Sequence, residues 1–174
     1  MDNIQWFFSD EVDENKRSSL SNAILELELL EQKGLQNTQA YCMYIWSILD
    51  LLSRFYSGQL DHQQATKRLK NYLQAYFPHS RDFTKALILF RNACSHSVTL
   101  YASDISGKKE VRFKLVESGD FITQKGRTSV SINTLEFGTR LKRSIEKYKL
   151  DLEKNDLLQN RFEKVFKKLG YVTI

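Results

Sequence analysis

Arg91, Asn92, Ser95 and His96 are the residues of this chain best equipped for chemistry, grouped in the segment Arg91-Asn92-Ala93-Cys94-Ser95-His96. An imidazole changes charge near neutral pH and can give or take a proton. A guanidinium stays charged and grips an oxyanion through a two-pronged fork. Asn92 can orient both, and the Ser95 hydroxyl is a supporting donor. On a helix, Phe83, Leu87, Phe90 and Cys94 fall within about 60° of one another and form the core face. From Phe83, Arg91, Ser95, Asn92 and His96 then fall near roughly 80°, 120°, 180° and 220°, a polar sector interrupted mainly by Ile88. Asn92 and His96 can touch, whereas Arg91 and His96 diverge by about 140°. That divergence predicts a cleft rather than a pocket. Taken alone, an Arg and a His near a helix end also serve to cap carbonyls or simply meet solvent.

Other chemistries find little support. His62 and His79 have no metal constellation around them and are read as surface or capping residues. Gly107-Lys108-Lys109 lacks the pattern of a phosphate-cradling loop, and Ser95 is too close in sequence to His96 to argue for a nucleophile-base pair. Neither a metal nor a cofactor is expected. Cys42 and Cys94 lie within apolar helical patterns and are expected to be reduced, buried thiols.

An Arg separated by four to six residues from a His, with a polar residue directly after the Arg, is the hallmark of HEPN domains, and Arg91, Asn92 and His96 resemble it. The helical pattern over most of the chain, with the motif near the end of a late helix, extends the resemblance. It implies metal-independent endoribonuclease activity, with Arg91, Asn92 and His96 catalytic and Ser95 supporting. It also implies a homodimer packed through the motif helix, whose cleft combines Arg and His from both chains. Attack by the RNA 2′-hydroxyl would leave a 2′,3′-cyclic phosphate and a 5′-hydroxyl. A toxin or defence role follows by the same resemblance, with an antitoxin protein as a further partner. The alternative is a non-catalytic HEPN-like module that binds RNA, a nucleotide or a protein partner. In the subgroup paired with nucleotidyltransferase antitoxins a Tyr stands two residues after the His; Val98 stands here, so adenylylation is not expected at that position.

The elements that must position these residues read as mainly helical. Among 174 residues there are one Pro and seven Gly, too few for a turn-rich sandwich or barrel. The spacing predicts a helix over roughly 13–33 ending at Gly34, and a second over 37–56 with a wide apolar face that includes Tyr41, Tyr44, Ile45, Ile48, Leu52 and Phe55. These aromatics are read as core rather than as base-stacking platforms. A third helix starts at an Asp61 cap and stops before Pro78, and the motif helix covers 81–96. The period then switches to alternation at 111–116, with turns at Ser118-Gly119-Asp120 and Lys125-Gly126. Asn133 and Glu136 have the spacing of a capping box, and a last helix ends near Gly170. The expected fold is therefore mainly α, one domain over 1–174. It would be a HEPN-like antiparallel bundle of about five or six helices, with a β-hairpin or meander inserted at 98–132.

Charge points toward a polyanionic partner. Residues 1–33 hold eight acids and three bases, whereas residues 101–174 hold ten acids and sixteen bases. Clustered cations displace counterions from phosphates, which makes Arg112, Lys114, Lys125 and Arg127 candidate RNA contacts; a solvated hairpin face is the plainer reading. The N-terminus lacks the basic and apolar regions of a secretory signal, and no stretch approaches about 20 apolar residues. No membrane partner is expected, and a cytoplasmic setting is.

Overall fold

The computed structural model describes residues 1–61, 63–78, 83–103, 110–126 and 128–174. Its helices are α1 (Asn3–Phe7), α2 (Ser19–Gln32), α3 (Gln39–Ser57), α4 (Ala65–Tyr76), α5 (Thr84–His96), α6 (Thr134–Leu152) and α7 (Asp156–Leu169). Its strands are β1 (Val12–Asp13), β2 (Lys16–Ser18), β3 (Tyr101–Ser103), β4 (Glu110–Val116), β5 (Ile122–Lys125), β6 (Ser129–Asn133) and β7 (Tyr171–Thr173). Two sheets, of three and four strands, make this an α/β fold and overturn the expectation of a mainly α helical bundle with a small inserted hairpin.

Helix α3 is the centre of the structure. The Thr38 hydroxyl accepts from the Tyr41 N–H to start it, and Gly58 at φ 68° ends it in the left-handed region. Ile45, Ile48, Leu49, Leu52 and Phe55 are wholly buried, and α2, α4, α5, α6 and α7 all pack around this helix. Tyr41 and Phe55 belong to the core as expected, whereas Tyr44 is 37% exposed. Asn133 caps α6 by accepting from Glu136 N–H at 3.1 Å.

Several boundaries differ from the sequence reading. The first long helix begins at Ser19, because Lys16–Ser18 pair instead with Tyr171–Thr173 at the far end of the chain. That sheet was not foreseen: strands of two or three residues carry too little alternation to announce themselves. Asp61 does not cap α4; its carboxylate accepts from Gln63 N–H, and Gln64 occupies the cap position without a side-chain bond. Gly170 ends α7 at an ordinary φ of −71°, and it is small for a different reason. A Cβ there would lie 2.4 Å from a ring carbon of Phe166.

The larger sheet is not a hairpin or meander. Its order is β3-β4-β6-β5, with β4 and β6 parallel and β5 on the outer edge, antiparallel to β6. Asn133 holds the returning connection by donating its side-chain amide to Gly119 O at 2.7 Å and its backbone N–H to Phe121 O. Val111, Phe113, Val130 and Ile132 face inward. The Phe113 ring lies 5.2 Å from that of Phe90, which in turn neighbours Trp46 and Phe137. Helix α5 is thus held between α3 on one side and the sheet on another. Among the described residues, no helix is long and apolar enough to cross a membrane.

Candidate functional site

Four hydrogen bonds fix the end of α5. Gln39, the first residue of α3, donates its side-chain amide to Cys94 O at 2.7 Å and to Ser97 O at 3.1 Å, satisfying carbonyls that a helix end leaves open. The Ser97 hydroxyl then accepts from the Thr99 and Tyr101 N–H groups, which turns the chain toward β3. Leu100 sits in this turn at φ 52°, and Val98 projects from it, 94% exposed.

On the helix so anchored, Arg91 and Asn92 are half-buried, while Ser95 and His96 are exposed. Arg91 and Ser95 line a cleft of about 240 Å³ shared with Met43, Trp46, Ser47 and Asp50 of α3. Asn92 and His96 do not line it; one step further around the helix, they look past it. None of the four side chains makes a hydrogen bond or ion pair with the described residues. The structure brings Arg91 and Ser95 together and leaves Asn92 and His96 as a second pair beside them, the division that about 100° per residue implies.

Asp50 is the residue that the sequence reading missed. Its Oδ2 is 3.1 Å from Arg54 Nη2, and its Oδ1 is 3.8 Å from Nη2 of Arg68. Asp50 stands on the otherwise apolar stretch from Ile48 to Leu52, and a lone carboxylate in that setting was the available signal. Desolvation pulls the Arg68 pKa down, and Asp50 opposes this. Because Arg54 already engages Asp50 at 3.1 Å, the Arg91 charge is not cancelled within the cleft. The indole N–H of Trp46 has no hydrogen-bond partner in the wall. Arg91 and Ser95 can therefore offer donors to an anion, whereas the Ser47 hydroxyl is already donated to Met43 O at 3.0 Å, and a proton-transfer group stands just outside.

The remaining candidates lie elsewhere. Arg112 and Lys114 alternate with buried Val111 and Phe113, so they stand on the solvent face of β4, away from α5. Lys125 is exposed at the end of β5, on the same row as Arg112 through Ser129. Arg127 lies outside the described residues, as do His62, His79 and Gly107-Lys108-Lys109. Tyr101 bonds to Glu110, which raises its phenol pKa. Cys42 and Cys94 are free and buried against each other; the hydrogen bond to Cys94, then burial, pushes the Cys42 thiol up. Among the described residues no group of three or more His, Cys, Asp or Glu gathers to hold a metal ion. No family model, no curated protein and no solved structure matches the chain.

Proposed function

We propose that this chain is a metal-independent endoribonuclease whose site forms between the α5 helices of two copies. The observation that carries the proposal is that Arg91 and Ser95 face one cleft while Asn92 and His96 face outward beside it, all four unengaged among the described residues. A single copy presents an anion grip and a proton carrier in diverging directions. A two-fold axis beside α5 lets one copy's His96 meet the other copy's Arg91. Met43, 43% exposed in the cleft, and Val98 beyond His96 supply apolar surface for such a contact.

In this mechanism Arg91 holds the non-bridging oxygens of a phosphodiester, with Ser95 beside it. His96 takes the 2′-hydroxyl proton, the 2′-oxygen attacks phosphorus, and the bond to the 5′-oxygen breaks. The leaving oxygen collects its proton from water, and the protonated His96 returns its own to the hydroxide so formed, giving a 2′,3′-cyclic phosphate and a 5′-hydroxyl. Asn92, one turn before His96, orients the imidazole. The outward Arg112, Lys114 and Lys125 contribute attraction for the rest of the strand, an effect that salt screens.

Purified protein incubated with single-stranded and structured RNAs in EDTA tests this, beside Arg91→Ala and His96→Ala. Neither side chain is engaged among the described residues, so both variants should stay folded while losing cleavage. Co-expressing the two dead variants should restore roughly a quarter of wild-type activity, since half the dimers are mixed and each holds one intact site of two. Intact RNA that nevertheless binds would favour a non-catalytic binding module. Cleavage that survives both substitutions would refute the assignment.

A further inference from the structure

A second site lies away from α5, where the end of α3, the start of α4 and the side of α7 meet. The cavity there is about 550 Å³, and its lining includes Ser57, Gln64, Lys67, Arg68, Asn71 and Arg161. Among the described residues, none that lines it is an Asp or a Glu. Three cations around one cavity repel one another, a repulsion only partly offset by Asp50 and Asp61 beside Arg68, and are stabilised by an incoming anion.

Arg68 is the most telling of them. It is only 2% exposed, and its Nη1 donates to the Asp61 carbonyl. Its Nε and Nη2 make no hydrogen bond, and the nearest carboxylate, Asp50, is 3.8 Å away and already engaged by Arg54 at 3.1 Å. A buried guanidinium with two idle donors is an incomplete arrangement. Arg161 is held in place from below. Its stem packs on Gly58, where a Cβ would come within 3.0 Å of the Arg161 Cβ and Cγ. Helix α4 adds its positive end: it is 12 residues long, its cap residue Gln64 makes no side-chain bond, and its first turn holds no acid.

We infer that this cavity binds the phosphate chain of a small phosphorylated molecule. A diphosphate or triphosphate matches three cations and a helix terminus better than a single phosphate does, and the volume lies in the range of small-ligand sites, about 300–1,000 Å³. Asp50 lines the α5 cleft and lies 3.8 Å from Arg68, but Arg91 and His96 do not line this cavity, so Arg91→Ala and His96→Ala should leave it intact.

Calorimetric titration of the full chain with pyrophosphate, ATP and AMP is the test, using Lys67→Ala and Arg161→Gln. Lys67 is exposed, so its removal should not disturb folding. Pyrophosphate and ATP should bind, each substitution should weaken both by about tenfold through loss of a charge-assisted bond, and AMP should bind more weakly than either. ATP binding well above pyrophosphate would show that the nucleoside also contributes; equal affinities would show that the phosphate chain alone is read. The inference is overturned if neither ligand binds at millimolar concentration, if binding is indifferent to both substitutions, or if only an RNA oligonucleotide binds there.

Discussion

Replacing Gly138 by Ala should destabilise the protein by about 2–4 kcal/mol, although the same change in an exposed helix interior stabilises by about 1 kcal/mol. Gly138 lies within α6, and a Cβ there would sit 2.1 Å from Tyr41 Oη and 3.3 Å from Tyr41 Cζ. The Tyr41 ring is 1% exposed, and its hydroxyl donates to Glu31 Oε1 at 2.8 Å. The hydroxyl must therefore move by about 1 Å within a packed core, which costs about 1–3 kcal/mol in strain. The displacement also breaks a bond to a carboxylate, worth about 1.5–3 kcal/mol. Subtracting the propensity gain leaves about 1.5–5 kcal/mol, whose middle part is the stated range; about 3 kcal/mol corresponds to a fall in Tm of about 6–12 °C for a chain of this size. The decisive experiment is a double-mutant cycle followed by urea unfolding. Tyr41→Phe removes the clashing oxygen, at about 1 kcal/mol because Lys142 still pairs with Glu31 at 3.1 Å. In that background Gly138→Ala should be neutral or slightly stabilising. An equal loss in both backgrounds, or a more stable single variant, would refute the reasoning.

Alkaline pH should unfold the protein cooperatively. Burial raises the phenol pKa of Tyr41, Tyr72, Tyr76 and Tyr148. Groups raised in the folded state hold their stabilisation below the unfolded value of about 10 and lose it above, by up to about 1.4 kcal/mol per tyrosine per pH unit. Unfolding free energies that agree at pH 9 and pH 11 would contradict this. Cys42 and Cys94, 0% and 1% exposed, should react with a thiol reagent only as fast as the protein opens; rapid modification of the native state would show the contact between α3 and α5 to be loose. Asp50→Ala should cost about 2–3 kcal/mol, near or below the low end for a broken buried pair because Asp50 keeps 21% exposure. A calorimetric scan showing an unchanged Tm would mean that Arg68 does not depend on it.

What could be read without coordinates was local. The apolar face of α3 follows from Ile45, Ile48, Leu52 and Phe55 at helical spacing, and the start of α6 from Asn133, because both depend on neighbours within one or two turns. The separation of Arg91 and Ser95 from Asn92 and His96 is likewise a property of a single helix. The expected mainly α bundle with a small inserted hairpin failed where partners are distant. Lys16–Ser18 become a strand only because Tyr171–Thr173 return beside them, and β4 pairs in parallel with β6 because Asn133 draws the connection back through Gly119 and Phe121. Asp50 and Ser47 join Arg91 across two helices, and Arg161 reaches Lys67 and Arg68 from nearly a hundred residues further along. Periodicity determines which way a side chain faces on its own element. Which other element meets that face is settled by closing the whole core, and both candidate sites belong to that second kind of information.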